Sequence, residues 1–334
     1  MSIAKRLKQL ATSTFIAASM ISAASATEIV LTSEVATTHW KTDYMQQFAE
    51  GVEERSNGEV TVKIYAGGQL YNDQDAVAAL GTGAVHMVWP VSVRVESVEP
   101  ITGVINLPFV ITQEDMMDAC FNQGLTDLMS SYLEPSRLEV LGFFRAADMM
   151  FVFRDREVHT SKDLKGAKIR VTGGRVFQDI MKSLDTSPIS MAASEMNTAL
   201  AQGAIDGIFT SPAGWSEMIG MVGEYGWYVP GLSVASYVVL VDKDWFDTLP
   251  ENQRTAIKET VAEISSRQWQ ESIEADEALI QKMLDQGATY IVADEAEQDF
   301  LRQLTAENSK VFTDRYPESI EALKSLEAQC AQTN

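Results

Sequence analysis

Apolar positions along the chain switch repeatedly between alternation and helical spacing. Glu28–Leu31 is a short β-favouring run. Between Thr42 and Arg55, Tyr44, Phe48 and Val52 recur at helical intervals; Asn57-Gly58 closes that helix, and Val60–Tyr65 then alternates as a strand. A helix near Asp73–Leu80 leads through Gly81 and Gly83 into the apolar strand Val85–Val88. Strand following helix in this order predicts an α/β fold with mostly parallel pairing. The stretch Ala79–Val88 is echoed by Ala199–Ile208: both read A-L-x-x-G-A-(V/I)-x-x-(V/I), a helix stopped by glycine that drops into a buried strand. Two copies 120 residues apart suggest two similar lobes, although helix–turn–strand chemistry is common enough to recur by chance.

A long helix is expected over residues 251–286. Thr248-Leu249-Pro250-Glu251 has capping-box spacing, Ile257, Val261, Ile264, Ile273, Ile280 and Met283 lie on one stripe, and Gly287 supplies a stop. Unbroken, it would span roughly 50 Å, long enough to brace two lobes; the alternative is two helices meeting at a kink near Ser265-Ser266. A last helical pattern, Ser319–Ala328, suits lobe packing or a dimer contact.

The first 26 residues read differently. Lys5, Arg6 and Lys8 precede an apolar run from about Ala11 to Ala24, and Ala24-Ser25-Ala26 has the small-x-small form of a secretory cleavage site. The run is too short and too rich in Ser and Thr to span a bilayer, so an exported, periplasmic chain is expected. Removing this segment takes the formal charge from -21 to -24, because it holds three basic residues and no acid. A field of that sign repels phosphate backbones and argues against nucleic acid as a partner. At 46% hydrophobic, the composition excludes a disordered chain. Cys120 and Cys330 are too far apart in sequence for a zinc motif. In an oxidising compartment they could pair, but the helical pattern Glu114–Gln123 makes Cys120 more simply a buried small apolar residue.

Catalytic signatures are missing. His39, His86 and His159 stand apart, with no HExxH, GxSxG or Walker lysine anywhere in the chain; no cofactor or metal is expected, and an enzyme is disfavoured. The most specific segment is Ser161–Val171, a turn before the short strand Lys168–Val171 that sets Arg170 near a strand end. A planar guanidinium there matches a carboxylate bidentately, although a structurally paired arginine is the plainer reading of that one fact.

With Gly67-Gly68-Gln69-Leu70, the Ala79–Gly83 turn, Leu107-Pro108-Phe109, the DLKGxKIRV segment Asp163–Val171, Glu195 and Ala199–Gly207, the chain resembles the solute receptors of tripartite ATP-independent periplasmic (TRAP) transporters, the DctP type. The resemblance covers nearly all of the chain after residue 26. It implies a two-lobed α/β binding protein of the Venus-flytrap type, with a long helix bracing both lobes. Lobe I would comprise 27–147 and about 236–275; lobe II would comprise 148–235 and about 276–334, with the ligand cleft between them. It further implies that Arg170 holds the carboxylate of a small organic anion, a class in which zwitterions and sulfonates also fall, for delivery to an ion-gradient-driven membrane permease, and that the receptor acts as a monomer.

Other site residues transfer less directly. Arg94 falls where some members place a second cation, with pairing to Glu96 or Glu99 as the alternative. Glu34 follows the first strand, where a carboxylate suits an ammonium or hydroxyl group. Trp89, Phe209 and Trp215 are candidate apolar walls, although aromatic residues beside strands are more often core. An additional arginine of some members is replaced by Met150, and Arg145 is a candidate substitute or an interdomain salt bridge. A commonly aromatic position is Ala193, and a usual asparagine is Thr210. These departures leave the ligand unnamed.

Overall fold

The protein was analysed as a computed structural model that describes residues 26–332; the expected signal segment lies outside the described residues but for Ala26. The chain opens with β1 (Thr27–Thr32), α1 (Trp40–Arg55), β2 (Val60–Tyr65), α2 (Asp73–Ala79) and β3 (Met87–Val88). Two 3-10 segments, Ser92–Ser97 and Pro100–Asn106, precede α3 (Gln113–Met117), α4 (Ala119–Leu133) and β4 (Leu138–Asp148). Then come β5 (Met150–Phe153), β6 (Lys168–Val171), α5 (Arg175–Ser183), β7 (Ser187–Ser190), α6 (Ala193–Ala201), β8 (Gly207–Thr210) and β9 (Tyr225–Tyr228). The chain ends with β10 (Val234–Asp242), α7 (Lys243–Thr248), α8 (Glu251–Asp285), β11 (Thr289–Val292), α9 (Glu295–Thr313) and α10 (Pro317–Cys330).

Two mixed sheets result, one ordered β2-β1-β3-β10-β4 and the other β11-β9-β5-β8-β6-β7. In the first, β1 lies parallel to β2 and β3, and β10 runs antiparallel to β3 and β4. The second repeats this plan: β6 lies parallel to β7 and β8, and β5 is antiparallel to β8 and β9. The echoed motif falls on α2–β3 in one sheet and α6–β8 in the other, so the two copies occupy equivalent places. Strand order reverses at β1 and at β6, and the crevice beyond the carboxyl ends of such strands is where α/β sheets place ligands. Glu34 follows β1 and Thr172 follows β6, on the two sides of that crevice.

The chain passes between the sheets at Met149, at residues 229–233 and along α8. That helix runs unbroken through Ser265-Ser266, about 50 Å at 1.5 Å per residue. It packs on α1 and β4 of the first sheet and, near its end, on β11 of the second. Its N-terminus differs from the expected capping box: Pro250 is the N-cap residue, and the Thr248 hydroxyl donates to the Trp245 carbonyl instead. Proline has no side-chain acceptor, so the helix starts without a side-chain cap, and Gln253 N and Arg254 N bond the Pro250 carbonyl.

The cysteine reading is corrected. Asp118 ends α3 and caps α4, so the expected helix over Glu114–Gln123 is broken there. Phe121 takes the buried position, and half-buried Cys120 bonds to Cys330 at the end of α10. The bond ties α10 to α4, where a Cβ on Gly124 would come within 2.2 Å of Leu326; the glycine lets the two helices touch.

Candidate functional site

Arg170 leaves the end of β6 and is 2% exposed. Its Nε and Nη2 donate to the Met191 carbonyl at 3.1 and 3.0 Å, and Nη2 also donates to the Thr172 hydroxyl at 2.9 Å. These neutral acceptors fix the guanidinium plane without neutralising it, and Nη1 makes no hydrogen bond to the described residues. Burial pulls the Arg170 pKa down to about 10, opposed by the negative charge of Glu34. The group stays cationic at neutral pH.

Around it lies a cavity of about 40 Å³, lined by Glu34, His39, Asp73, Thr172, Thr210, Ser211 and Tyr237 on its polar side. Met149, Met196, Met218, Val35, Ala146 and Ala193 supply apolar wall. The space holds water molecules and nothing larger, so a ligand needs the lobes to part or the methionines to move. Thioether side chains re-pack at low cost.

The opposite wall carries charges that sequence reasoning missed. Lys41, 1% exposed, pairs with Asp73 at 3.6 Å and sits 4.1 Å over the Tyr237 ring. Desolvation pushes Asp73 up to about 6 while Lys41 pulls it back, and desolvation also lowers Lys41. Burial and then the Lys41 charge hold His39 down at about 3, so it is neutral, and its Nδ1 accepts from the Lys41 N–H at 3.1 Å. A lysine one residue into an amphipathic helix reads as solvated, and only the tertiary approach of α2 and β10 buries it.

The candidate residues divide. Arg170, Glu34 and Thr210 meet at this cavity. Glu34 does so with both oxygens engaged: Oε2 accepts from Asp73 N and Oε1 from Ala193 N, each at 3.1 Å. Arg94 is 6% exposed and pairs with neither Glu96 nor Glu99; its Nη1 donates to Gln74 at 2.8 Å, and its Nε has no partner among the described residues. It lines a larger groove of about 580 Å³ between Ser92–Ser97, α5 and α9. That groove is larger but lacks Arg170, Glu34 and Thr210; the convergence of these buried charged and polar groups, not volume, marks the smaller cavity as the candidate site.

Four candidates lie elsewhere. Trp89 stacks on Phe144 with centroids 4.5 Å apart and meets Phe48 edge-on. Phe209 packs on Phe151 and Phe177, and Trp215 is buried with its Nε1 donating to the Gly223 carbonyl. None of the three lines the cavity. The cavity lies off the strand ends, and side chains alternate along β8, so only the terminal Thr210 reaches it. Arg145 is clamped to α8 and α3 instead: Nη1 pairs with Asp276 at 2.5 Å, Nε donates to Gln113 at 2.6 Å, and Nη2 lies 3.8 Å from Asp148. Of the two alternatives for Arg145, the structure shows the salt bridge.

Comparison with known proteins follows the same lines. A family model of bacterial extracellular solute-binding proteins, family 7 (DctP), matches residues 31–314. Among curated proteins the chain is similar to the C4-dicarboxylate-binding periplasmic protein DctP of Rhodobacter capsulatus, 27% identical over 249 residues that cover 73% of each chain. It is also similar to the C4-dicarboxylate-binding protein DctB of Bacillus subtilis, 23% identical over 77% of this chain and 74% of that one. Among solved structures it resembles the sugar acid binding protein of Advenella mimigardefordensis in complex with galactonate, with a TM-score of 0.84 at 21% identity over 91% of this chain and 99% of that one. The TRAP periplasmic solute binding protein of Shewanella oneidensis with bound succinate gives a TM-score of 0.81 at 24% identity over 90% and 99%. These structural likenesses carry the two-lobed fold.

Proposed function

The chain belongs to the bacterial extracellular solute-binding proteins of family 7, and we propose that it is the periplasmic receptor of a TRAP transporter, acting as a monomer. It captures a small organic acid anion and delivers it to an ion-gradient-driven membrane permease. The observation that carries this reading is Arg170: a buried guanidinium lining a small cavity, oriented by neutral acceptors and with no hydrogen bond from Nη1 among the described residues. A dehydrated cation that makes no ion pair among the described residues favours an anion that pairs with it directly. Thr210 and Ser211 offer hydroxyls to the rest of the ligand, and Met149, Met196 and Met218 offer apolar contact. Relatives named for C4-dicarboxylates, and structures holding galactonate and succinate, support a carboxylate as the shared chemistry. The lobe division set out from the sequence belongs to this proposal, with α10 returning to pack on α4.

Binding without turnover is the expected behaviour. A thermal-shift screen of the exported chain against carboxylates, sulfonates and amino-acid-like zwitterions tests it, because a ligand of the folded state raises the melting temperature by mass action. Replacing Arg170 by Ala removes a buried charged partner, a loss of about 2–5 kcal/mol, or roughly thirty-fold or more in Kd. Unchanged affinity in Arg170→Ala would reject the anchor. Conversion of the bound acid, seen by mass spectrometry, would instead make the protein an enzyme.

A further inference from the structure

Six helices cap their own N-termini with a local side chain: α1 by His39, α2 by Asn72, α3 by Thr112, α4 by Asp118, α7 by Asp242 and α9 by Asp294. Helices α8 and α10 begin at prolines. The two helices of the second lobe that face the cleft are different. Their N-cap residues, Gly174 for α5 and Ala192 for α6, have no side chain able to accept a hydrogen bond. First-turn N–H groups left without intrahelical partners need acceptors; the other lobe provides them for Arg175 N, Val176 N and Ala193 N, while Glu195 of α6 folds back only onto the Ala192 N–H.

Glu96, from the 3-10 segment Ser92–Ser97, reaches across to α5. Its Oε2 accepts from Arg175 N at 2.5 Å and Val176 N at 3.1 Å, while Oε1 is held by Asn106 at 3.2 Å. Glu34, after β1, reaches across to α6, with Oε1 accepting from Ala193 N. The backbone is shaped for the first of these contacts. Gly174 has φ +72°, and a Cβ there would lie 2.5 Å from Val93 Cβ and 2.8 Å from the Val93 carbonyl oxygen. At Gly173 a Cβ would lie 2.8 Å from Arg94 Nη1. Both glycines let the start of α5 sit flush against the first lobe.

We propose that Glu34 and Glu96 are closure latches. By capping helices of the opposite lobe they stabilise the closed cleft independently of any contact the ligand makes, and so position the second lobe for capture. Each carboxylate meets the positive end of a helix dipole with charge-assisted hydrogen bonds. Opening returns those N–H groups to water, so each latch shifts the closed-to-open ratio by roughly fivefold. The latches also set affinity, because a ligand that needs the closed form is weakened by the fraction of chain that is open.

Small-angle X-ray scattering of the exported chain tests this without a known ligand. The chain is stripped by unfolding and refolding, and the absence of retained small molecules is checked by mass spectrometry. A compact chain of this length has a radius of gyration of about 19 Å. Glu96→Gln, and Glu96→Gln combined with Glu34→Gln, should each give a larger radius than the stripped native chain, with the double variant the larger. Gly174→Ala should open the cleft by a different route, by blocking the approach to Val93, and it answers the question if the glutamate variants fail to fold by circular dichroism. Radii equal to the native value in all folded variants would overturn the proposal. The result is separable from the receptor reading: opening in the variants with no ligand found in a carboxylate screen leaves the latches standing, and carboxylate binding with unchanged radii removes only the latches.

Discussion

Breaking the Cys120–Cys330 bond tests how the C-terminus is held. The two cysteines are 210 positions apart and close a loop that takes in most of both lobes. Chain-entropy reasoning for a loop of that length gives about 5 kcal/mol of stabilisation through the unfolded state, and native disulfides commonly deliver about 2–5 kcal/mol when removed. The non-covalent hold on α10 is modest, since only Ser319, Leu323 and Cys330 of its residues are buried. The covalent term should therefore dominate. For a chain of roughly 300 residues the unfolding entropy is about 0.6 kcal/mol per degree at the midpoint, so a loss of about 3–5 kcal/mol lowers the melting temperature by roughly 5–8 °C. The assay is thermal unfolding of the oxidised chain, of the same chain in reductant, and of the Cys120→Ser/Cys330→Ser double variant. Limited proteolysis runs alongside, and in the reduced form α10 should be trimmed first. Melting within 1 °C of the oxidised chain, with the same proteolytic pattern, would refute the reasoning and show that packing of Leu323 and Leu326 on α4 suffices.

Arg145→Met leaves Asp276 buried without its cation, and breaking a buried pair of this kind costs about 3–5 kcal/mol; urea unfolding reads the loss, and a change below 1 kcal/mol would show that Asp276 simply takes up a proton. Arg170→Lys keeps the charge but not the planar fork that bonds Met191 and Thr172, so calorimetry with any carboxylate found should show most of the Arg170→Ala loss.

Much of the fold was legible because it is written in local period. Val60–Tyr65 and Lys168–Val171 are strands with the expected bounds, and the stripe from Ile257 to Met283 does form one long helix. The repeated helix–glycine–strand motif foreshadowed two sheets of the same plan. Errors arose where a local signal competed with a tertiary one. Asp118 was able to interrupt one helical pattern because its carboxylate caps the next helix at Phe121 N, and that small break turned Cys120 toward Cys330. Thr248 had the spacing of a cap but bonded backward within its own short helix. Neither outcome follows from periodicity, because each depends on which of two nearby hydrogen bonds the packed chain selects.

Of the candidates named from sequence, Arg170, Glu34 and Thr210 are the ones that line the small cavity. Arg170 stands out because an arginine at the end of a short apolar strand has few places to go, and Thr210 because it ends the neighbouring strand. Aromatic residues misled for a related reason: Trp89, Phe209 and Trp215 are near the cleft in sequence, yet the largest side chains bury the most area and are drawn into the core. The charges on the far wall were invisible because their burial is mutual. Lys41 is tolerable inside only with Asp73 and the Tyr237 ring beside it, and these come from three separate elements. Arg94 shows the converse. Acidic residues stand two and five positions away, yet Glu96 is committed to α5 and Glu99 to Ser136, so this buried guanidinium has no carboxylate of its own. In a chain with 21 more acids than bases, neither Arg94 nor Arg170 forms an ion pair among the described residues, and on the proposed reading that leaves each of them available to an anion.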